Sequence, residues 1–475
     1  MVLDWFGILS IVNMVLAFMV AIHLLMDNRS PSTTLAWLLV LSFLPYVGIV
    51  IYFFFGENTR KKRIISKKSL DQLSRRSMLS YVEQKELNVP DDTQTLTRLF
   101  FNQNYALPFR NNKVEVFTNG YEFIAALLRS IGQAKSHIHL ATYIFEDDPL
   151  GRLVADALIE KARQGVEVRV IYDAVGNWRV PSRFFERLRE EGVDTHAFMP
   201  VRFPAFTRRI NYRNHRKICV VDGHTGFIGG MNIALRYVKG QNGAPWRDTH
   251  LMIKGSGVYG LQCAFLVDWY FVDGTLISNK NYYPVTPWHF SNNCIAQVVT
   301  SSPLSPWPEM MQGYTKVILQ ARRYVYIETP YFLPNEPVLF AIKTAAKAGV
   351  DVRILCPLRS DARFVEWASR SYLREAYEAG VKVYLYQAGF LHSKFMVCDD
   401  SITTTGSTNV DFRSFENNFE ANAFIYDEGM AIRMRNVFLR DQENALLLSD
   451  LPQRIHPSFK KRLWESLIRL MSPLL

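Results

Sequence analysis

The chain contains the stretch Gly165-Val-Glu-Val-Arg-Val-Ile-Tyr-Asp173 and, 184 residues later, the stretch Gly349-Val-Asp-Val-Arg-Ile-Leu355. Both stretches are short and rich in β-branched residues, which is typical of strands. Each follows a helix-like segment, and that segment follows an earlier apolar strand-like one at 136–145 or 324–332. The order strand, helix, strand therefore occurs twice. It predicts an α/β protein with two duplicated halves, each with a mixed or parallel sheet, related by a pseudo-twofold axis.

The repeat divides the chain into four predicted segments. Residues 111–290 and 291–475 are expected to form the first and second halves, with a junction rich in Pro, Ser and Asn around residues 279–308. Residues 57–110 precede the halves as a basic juxtamembrane linker, and residues 1–56 precede that linker as an apolar segment.

The apolar segment predicts a hairpin of two membrane-spanning helices. Residues 5–26 and 35–55 contain no Asp, Glu, Lys or Arg, and each run is long enough as a helix to cross roughly 30 Å of hydrocarbon. Pro45 is compatible with a kink in the second helix. Residues 57–85 contain nine Lys and Arg against three acids. Such a basic stretch is typical of the cytoplasmic side, where we therefore expect the rest of the chain to lie.

The composition and charge exclude two classes of protein and favour one class of binding partner. The 475 residues are 48% hydrophobic and 13% aromatic, with 55 Lys and Arg against 44 Asp and Glu. This excludes a small disulfide scaffold and a disordered tail. A net charge of +11 fits nucleic acid or an anionic lipid surface. Almost all of the excess lies at 57–85 and 454–475, which favours lipid over a nucleic-acid groove.

One polar motif occurs once in each half. The copies are His215-Arg-Lys217-Ile-Cys-Val-Val-Asp222 and His392-Ser-Lys394-Phe-Met-Val-Cys-Asp399. In each copy an Asn, Asn232 or Asn409, follows the His by 17 residues, beyond a glycine-containing turn. Because a strand alternates its faces, the His and Lys of one copy project to the same side. The motifs therefore predict a site of imidazole, ammonium and amide groups that binds a phosphodiester.

Neither a metal nor another cofactor is predicted. The five cysteines have no Cys-x-x-Cys spacing and are expected to be reduced thiols, mostly in the core. His137 and His139 lie two apart on a strand, but no third ligand is near in sequence, so packing or lipid contact is favoured over a metal. The chain also lacks a Gly-Lys dipeptide and hence a P-loop for a nucleotide.

The two motifs resemble the H-x-K-x-x-x-x-D (HKD) signature of the phospholipase D superfamily, in which two copies meet at one site. The resemblance covers roughly residues 111–450. Within the superfamily the chain is similar to the bacterial cardiolipin synthases, which also have two N-terminal apolar spans. The matching stretches are Asn214-His-Arg-Lys217, Gly229-Gly-Met-Asn-Ile233, Trp246-Arg-Asp248, Glu328-Thr-Pro-Tyr-Phe-Leu-Pro334 and Leu391-His-Ser-Lys394.

The resemblance implies six catalytic motif residues and five supporting ones. The catalytic six are His215, Lys217, Asp222, His392, Lys394 and Asp399, and the supporting five are Asn232, Asp248, Ser407, Asn409 and Glu420. The Lys and Asn side chains would bind nonbridging oxygens. The two motif Asp residues end their strands and are expected to buttress the Lys residues or a turn rather than touch substrate.

The resemblance also implies a carboxylate that orients each imidazole. Glu420 lies where the family places the carboxylate for the His of the second copy. The equivalent position in the first copy, 243, is Gly, so Asp248 is expected to take that role for His215.

The reaction implied is a two-step phosphatidyl transfer at the bacterial inner membrane, in which two phosphatidylglycerols become cardiolipin and glycerol. One imidazole would form a phosphohistidine while the other donates and accepts protons. The family assigns the nucleophile to His215 and the acid/base to His392, although symmetry makes the reverse assignment physically similar.

Four alternatives remain open at this stage. Three use the same site: a phospholipase D with water as acceptor, a synthase with phosphatidylethanolamine as donor, and, less favoured, an HKD nuclease. The fourth is a membrane scaffold with a decayed site. The C-terminal stretch 459–471 is basic and amphipathic, and either lies on anionic lipid or docks against the body. The sequence carries no signal for an oligomeric state.

Overall fold

The computed structural model describes residues 5–27, 31–44, 46–52, 56, 91–200, 211–241, 243–277, 279–284, 290 and 294–473. The predicted basic stretch at 57–85 and the last residues of the second predicted span, 53–55, lie outside the described residues. The described part consists of N-terminal apolar helices and a large α/β body.

The N-terminal segment begins with one long apolar helix. Helix α1 (Trp5–Met26) includes the stretch Gly7–Met26, which is long and apolar enough to cross a membrane, and only 11% of its most apolar window is buried. Large apolar side chains such as Phe18 and Leu25 are exposed along it. Helix α1 is therefore consistent with the predicted first membrane span.

The second predicted span is interrupted. Helix α2 (Pro31–Phe43) ends before Pro45 in the sequence, and helix α3 (Val47–Ile51) begins after it. Proline has no N–H to donate and disfavours helical backbone at the residue before it. The expectation of one helix over residues 35–55 therefore needs correcting, because among the described residues only α1 has the length and apolarity of a span.

At the break between α2 and α3, polar side chains of α1 form hydrogen bonds with Tyr46. Tyr46, whose backbone has φ 69°, donates its N–H to Oδ1 of Asn13 at 3.1 Å. Its hydroxyl also lies 3.1 Å from Oγ of Ser10. These side chains take the place of helical hydrogen-bond partners, so the break packs against α1.

The body is built on a sheet that is continuous across both halves. The first half contributes β1 (Pro108–Phe117), β2 (His137–Thr142), β3 (Glu167–Asp173), β4 (Asp194–Phe198), β5 (Arg213–Asn214), β6 (Ile218–Val221), β7 (Thr225–Gly229), β8 (Trp246–Arg247) and β9 (His250–Gly255). The second half contributes β10 (Cys294–Ser301), β11 (Tyr324–Glu328), β12 (Phe332–Leu333), β13 (Asp351–Pro357), β14 (Lys382–Tyr386), β15 (Phe390–Leu391), β16 (Phe395–Cys398), β17 (Ile402–Gly406), β18 (Val410–Asp411), β19 (Asn418–Tyr426) and β20 (Ala445–Leu447). Four of these short strands lie outside the large sheet and form two separate pairs, β8 with β15 and β12 with β18.

Both halves have the same strand order. From the junction outward, the order is β1-β9-β7-β6-β2-β3-β4 in the first half and β10-β19-β17-β16-β11-β13-β14 in the second, with β20 at the outer edge of the second. Strands β1 and β10 pair antiparallel and join the halves. Parallel pairs such as β2–β3 and β11–β13 occur beside antiparallel pairs such as β6–β7 and β16–β17. The predicted pair of duplicated halves with mixed sheets is confirmed.

Helices cover the sheet and end the chain. They are α4 (Asp91–Asn104), α5 (Gly120–Gln133), α6 (Pro149–Arg163), α7 (Ser182–Glu190), α8 (Arg236–Lys239), α9 (Val258–Asp273), α10 (Glu309–Gln320), α11 (Glu336–Lys347), α12 (Arg363–Glu378), α13 (Glu428–Glu443), α14 (Pro452–Ile455) and α15 (Phe459–Arg469). Helix α4 lies within the predicted 57–110 linker, yet its Leu96 and Phe100 are fully buried in the core of the second half.

The motif strands pack on both of their faces. In β6, Cys219 and Val221 belong to the core of the first half, whereas Ile218 and Val220 belong to a central core that also contains residues of β16, α9 and α13. Successive residues of a strand point to opposite faces, so β6 is fixed between two cores. The two halves thereby share one interior, which fixes the starts of the motif strands and, with them, the preceding segments that carry the histidines.

Candidate active site

The motif histidines of the two halves line one cavity. The cavity has a volume of about 440 Å³, and its lining includes His215, His392, Asn232 and Asn409. The aromatic side chains of Tyr143, Trp246 and Tyr331 and the cationic ones of Arg213, Arg236 and Arg413 also line it. Four of the residues predicted from the motifs therefore meet at one space whose walls are apolar and cationic, with two acids, Asp361 and Asp411, also in the lining.

Each histidine is hydrogen-bonded to a carboxylate of the other half. Nδ1 of His215 lies 3.0 Å from Oε1 and 3.2 Å from Oε2 of Glu420. Nδ1 of His392 lies 2.6 Å from Oδ2 of Asp248. The expectation that each carboxylate orients the His of its own copy is therefore wrong, because the two partners are exchanged between the halves.

Short strands explain this exchange. Strand β5, just before His215, pairs in parallel with the start of β19, just before Glu420. Strand β15, just before His392, pairs in the same way with β8, just before Asp248. The His215 N–H donates to the carbonyl of Phe419 at 2.9 Å, and the His392 N–H donates to that of Arg247 at 2.7 Å. Backbone pairing between the halves thus brings each imidazole beside the opposite carboxylate.

The two carboxylates occupy equivalent places in the fold but have different neighbours. Strand β7 pairs with β9 so that Gly229 lies opposite His250, and β17 pairs with β19 so that Gly406 lies opposite Asn422. Asp248 lies two residues before His250, and Glu420 lies two residues before Asn422. Beside Asp248 lies Gly230, where a Cβ would come within 2.1 Å of the carboxylate. Its counterpart Ser407 donates its hydroxyl to Oε2 of Glu420. Ser407, a predicted supporting residue, thus contacts the carboxylate of its own half.

Both carboxylates are ionised and accept hydrogen bonds. Burial raises the pKa of Glu420, but His215 and Lys217 more than offset it and leave the pKa below its usual range. In the same way Lys394 and His392 outweigh burial at Asp248 and lower its pKa. A carboxylate can only accept, so Nδ1 of each His carries the proton. The other nitrogen, Nε2, is left with its lone pair.

Burial and crowding of positive charge lower the pKa of every motif base. Burial, followed by Lys217, lowers the pKa of His215, and burial with Lys394 lowers that of His392 to about 3. Burial lowers the pKa of Lys217 to about 7 and that of Lys394 to about 8. An anion in the cavity would favour the charged forms, so the site is suited to bind one.

The motif lysines are held by the backbone of their own histidines. Nζ of Lys217 donates to the carbonyl of His215 at 2.6 Å and lies 5.2 Å from the ring centroid of Tyr143. Nζ of Lys394 donates to the carbonyl of His392 and lies 2.9 Å from its Nδ1. Each ammonium group therefore stays beside the histidine two residues before it, although the His and Lys of each motif lie just before β6 or β16 and not on the strand that the spacing predicted.

The two asparagines are hydrogen-bonded within the cavity wall. Asn232 accepts from the N–H of Ile144 at 3.1 Å and donates to the hydroxyl of Tyr237 at 2.5 Å. Asn409 donates to Oδ2 of Asp411 at 3.0 Å. These bonds fix loops at the cavity edge, while the binding of nonbridging oxygens by the amides stays a prediction.

The motif aspartates lie at the far ends of their strands and bind turns. Asp222 accepts from the backbone N–H groups of Lys135, Ser136 and His137 at 2.7–3.0 Å. Asp399 accepts equivalently from Arg322, Arg323 and Tyr324 at 2.7–2.9 Å. The structure therefore corrects their place in the catalytic set: of the two roles considered for them, buttressing a turn fits this geometry.

Two arginines that the sequence analysis did not select brace the carboxylate segments. Arg216 ion-pairs with Asp268 at 2.5 Å, and its Nε donates to the carbonyl of Glu420 at 3.0 Å. Arg247 ion-pairs with Asp441 at 2.6 Å and donates to the carbonyl of Asp248 at 2.6 Å. Arg216 lies inside the first motif, and Arg247 directly precedes Asp248. Their position next to predicted site residues is the sequence feature that could have identified them.

The other candidate ligands lie in packed surroundings. Nε2 of His137 lies 3.1 Å from Oε1 of Gln262, and Nε2 of His139 lies 3.2 Å from Oε1 of Glu167. Burial, with repulsion from His139, lowers the pKa of His137 to about 4. All five cysteines are free thiols, four of them buried. Among the described ranges, no cluster of three or more His, Cys, Asp or Glu is arranged to hold a metal ion.

Two family models match the chain. The model described as "Cardiolipin synthase, PLD-like domain" matches residues 127–246 and 314–442, which include one HKD motif each. The model described as "Phospholipase_D-nuclease N-terminal" matches residues 15–57. In structure, the body is similar to the crystal structure of phosphatidylserine synthase from Haemophilus influenzae, with a TM-score of 0.62 over 80% of this chain and 100% of that chain. The identity there is 17%, so this likeness shows the fold alone.

Two bacterial proteins are similar in sequence to this chain over nearly its whole length. Cardiolipin synthase 2 of Bacillus cereus is 40% identical over 468 residues, which cover 97% of this chain and 90% of the relative. The major cardiolipin synthase ClsA of Bacillus subtilis is 37% identical over 484 residues, which cover 98% of each chain. Together with the duplicated fold and the paired HKD motifs, these matches show that the chain belongs to the bacterial cardiolipin synthase family of the phospholipase D superfamily.

Proposed function

We propose that this chain is a phosphatidyltransferase that converts two phosphatidylglycerols into cardiolipin and glycerol. One observation carries the proposal. Two imidazoles, each with its Nδ1 proton directed to an ionised carboxylate, line one cavity together with cationic side chains. Such a pair supplies a nucleophile and a proton carrier at the same phosphorus atom.

In the first step, Nε2 of His215 attacks phosphorus and forms a P–N bond. The P–O bond to the headgroup glycerol breaks, and protonated His392 gives its proton to the departing oxygen. The negative charge of the bound phosphodiester favours that protonated form, because it offsets the repulsion by Lys394 and Lys217. The products of this step are glycerol and a phosphatidyl-histidine.

In the second step, a headgroup hydroxyl of another phosphatidylglycerol attacks the same phosphorus atom. His392 takes the proton of that hydroxyl, the P–N bond breaks and cardiolipin leaves. Both histidines return to their starting forms. The energy of the cleaved ester is kept in the P–N bond, so the reaction needs no nucleotide.

The supporting residues act through charge and orientation. Glu420 and Asp248 would hold the two imidazoles in the Nδ1–H form and stabilise positive charge on them. Lys217 and Lys394 would bind the nonbridging oxygens, with Asn232 and Asn409 beside them, as charge develops. Asp222 and Asp399 would act only by holding the turns that they bind.

The choice of an anionic phospholipid is supported by the names of the relatives and by the charge of the cavity. The relatives are named cardiolipin synthases. Three arginines line the cavity against two acids, Asp361 and Asp411, and the motif lysines are buried next to their histidines. Such a surrounding favours a neutral polyol headgroup over the ammonium headgroup of phosphatidylethanolamine, because like charges repel. The same charge suits phosphatidylglycerol as donor and as acceptor.

Membrane attachment supports the same function. Helix α1 has the length and apolarity of a membrane span, consistent with membrane association. We propose further that α2 and α3 return through the bilayer, that the protein is multi-pass, and that the body faces the cytoplasm of a bacterial inner membrane. The Lys- and Arg-rich stretch at 57–85 supports this orientation.

The test is an assay on phosphatidylglycerol liposomes without nucleotide or added metal. Cardiolipin and glycerol are measured together for the unmodified chain, for His215→Ala and for His196→Ala. His196 lies near the surface and bonds Asp194, so His196→Ala is the matched control. We expect equal amounts of both products from the unmodified chain and the control, and neither from His215→Ala. Phosphatidic acid with glycerol and no cardiolipin would instead identify a hydrolase.

A further inference from the structure

The last helix of the body is attached by its polar side. Glu465, one of the two buried residues of α15, accepts from Arg374 on α12 at 2.9 Å. Arg469 donates to Glu375 at 2.6 Å and lies 4.0 Å from the ring centroid of Tyr372. Charged groups and one apolar side chain, Ile468, which is 4% exposed and belongs to the core of the second half, therefore fasten α15 to the body.

The other side of α15 is apolar and exposed. Apart from the buried Ile468, its large apolar side chains, with those of the two residues that follow it, are between 42% and 79% exposed: Phe459, Leu463, Trp464, Leu467, Leu470 and Met471. A helix on a soluble domain ordinarily turns such a stripe toward the core. A contiguous apolar patch left at a surface marks a binding interface. Helix α15 therefore has the reverse of the usual amphipathic orientation.

This apolar face continues to the edge of the active-site cavity. Trp464 makes an edge contact with Trp367 at 5.8 Å between ring centroids, and Trp367 makes another with Phe364 at 5.5 Å. Phe364 is 50% exposed, and its neighbours Ala362 and Val365 line the cavity. We call the exposed apolar residues of α15 and its end, together with Phe364, the α15 surface.

Positive charge surrounds the α15 surface. Lys460, Lys461 and Arg462 stand in the first turn of α15, and Arg363 is exposed beside Phe364. The single acid of α15, Glu465, is buried against Arg374. Long cationic side chains bury their stems in an apolar layer and keep their charge at its polar boundary. Anionic lipid headgroups attract such charges.

We propose that the α15 surface docks on an anionic bilayer and seats the edge of the cavity at the lipid headgroups. It is a second membrane contact, separate from α1, and it rests on the proposed function only in treating a membrane lipid as the substrate. Its position allows a headgroup to reach the histidines while the acyl chains stay in the bilayer. A second copy of the chain on this surface is the competing occupant.

The first test measures the depth of α15 in a membrane. The full chain, reconstituted in liposomes containing phosphatidylglycerol, is labelled with a nitroxide at Leu467→Cys or, as the matched exposed position on the polar side of the helix, at Arg462→Cys. The unmodified chain, treated in parallel, measures any signal from the native cysteines. We expect the label at 467 to collide more with oxygen than with a water-soluble nickel chelate, and the label at 462 to show the reverse. Equal access of the chelate to both labels, or exclusion of both reagents at 467, overturns the proposal.

The second test separates docking from catalysis. The variant Phe459→Ser/Leu463→Ser/Leu467→Ser is compared with the control Tyr121→Ser/Leu153→Ser, which removes exposed apolar side chains from the first half. We expect the variant to turn over liposomal phosphatidylglycerol about tenfold more slowly and short-chain, monomeric phosphatidylglycerol within about twofold of the unmodified chain. If the variant loses no more rate on the liposomal substrate than on the monomeric substrate, relative to the unmodified chain, the proposal is overturned. If the unmodified chain makes no cardiolipin from either form, the proposed function fails, and the nitroxide measurement still decides the docking surface.

Discussion

The two halves present the same motif with different supports. In the first half, Asp248 stands beside Gly230, which leaves room for its carboxylate. In the second half, the longer Glu420 is held by the hydroxyl of Ser407. Both carboxylates nevertheless reach Nδ1 of a histidine in the opposite half. Both halves therefore place a carboxylate acceptor at the same position in the fold, but one half provides it with an Asp and the other with a Glu.

The arginine braces show the same divergence. Arg216 belongs to the first motif and crosses to the carbonyl of Glu420 in the second half. Arg247 binds the carbonyl of Asp248, the next residue in its own half. Both arginines come from the first half, so that half contributes more of the scaffold of the joint site. This asymmetry gives two chemically similar histidines different surroundings and allows them different roles.

The largest expected effect separates the roles of the two histidines. The substrate is phosphatidyl-p-nitrophenol, whose leaving group needs no proton. We expect His392→Ala to release a burst of p-nitrophenol within about tenfold of the unmodified rate, because the loss of general acid, worth roughly 10²- to 10⁴-fold on the natural substrate, no longer matters. His215→Ala should give no burst. The reverse pattern would exchange the assigned roles.

The next effect tests the carboxylates as positioning residues. On phosphatidylglycerol, Glu420→Gln and Asp248→Asn should each lower the rate roughly 10³-fold, because the imidazoles lose a charged partner that fixes their tautomer. On phosphatidyl-p-nitrophenol, only Glu420→Gln should slow the burst. Glu115→Gln, which removes a surface acid paired with Lys113, is the control and should leave both rates unchanged. Equal effects of the two site variants on the burst would contradict the different roles.

A smaller effect probes the neighbours of the carboxylates. Gly230→Ser puts a side chain within 2.1 Å of the Asp248 carboxylate and should lower the rate about 10²-fold by displacing it. Ser407→Gly removes one hydrogen bond to Glu420, worth about 1 kcal/mol, and should lower the rate only about fivefold. Initial rates on phosphatidylglycerol liposomes decide the order, and a larger loss with Ser407→Gly would contradict it.

A pH dependence of anion binding is expected to be of similarly modest size. Lys217 and Lys394 have pKa values lowered by burial to about 7 and about 8, so their charge is present below pH 7 and is lost as the pH rises toward 9. Inhibition by glycerophosphoglycerol, a diester of constant charge, should weaken roughly tenfold between pH 6 and pH 9. Lys217→Arg keeps its charge and should flatten this profile. A flat profile for the unmodified chain would contradict the claim that the buried lysines bind the anion.

Local features of the fold and the site were predictable from the sequence. The two-residue spacing of His215 and Lys217 predicted that the imidazole and the ammonium group lie together. They do, although both residues lie between β5 and β6 and not on a strand as the spacing predicted. The paired motifs likewise predicted that His215 and His392 belong to one site.

Relations between distant segments were not predictable from spacing. Glu420 follows His392 by 28 residues, and nothing in that interval shows that β5 pairs with β19 and brings His215 to Glu420. The break at Tyr46 depends on Asn13 in another helix. The reversed orientation of α15 depends on Arg374 and Glu465, whose contact arises only in the folded chain.

The exchange of carboxylates is tested most directly by double variants measured with phosphatidyl-p-nitrophenol. The background is the single histidine variant that retains the burst, expected to be His392→Ala. There, adding Asp248→Asn should change the burst rate by less than about twofold, because its imidazole is already gone. Adding Glu420→Gln should lower the rate roughly 10³-fold. A large loss with Asp248→Asn and none with Glu420→Gln would place each carboxylate with the histidine of its own half and contradict the exchange.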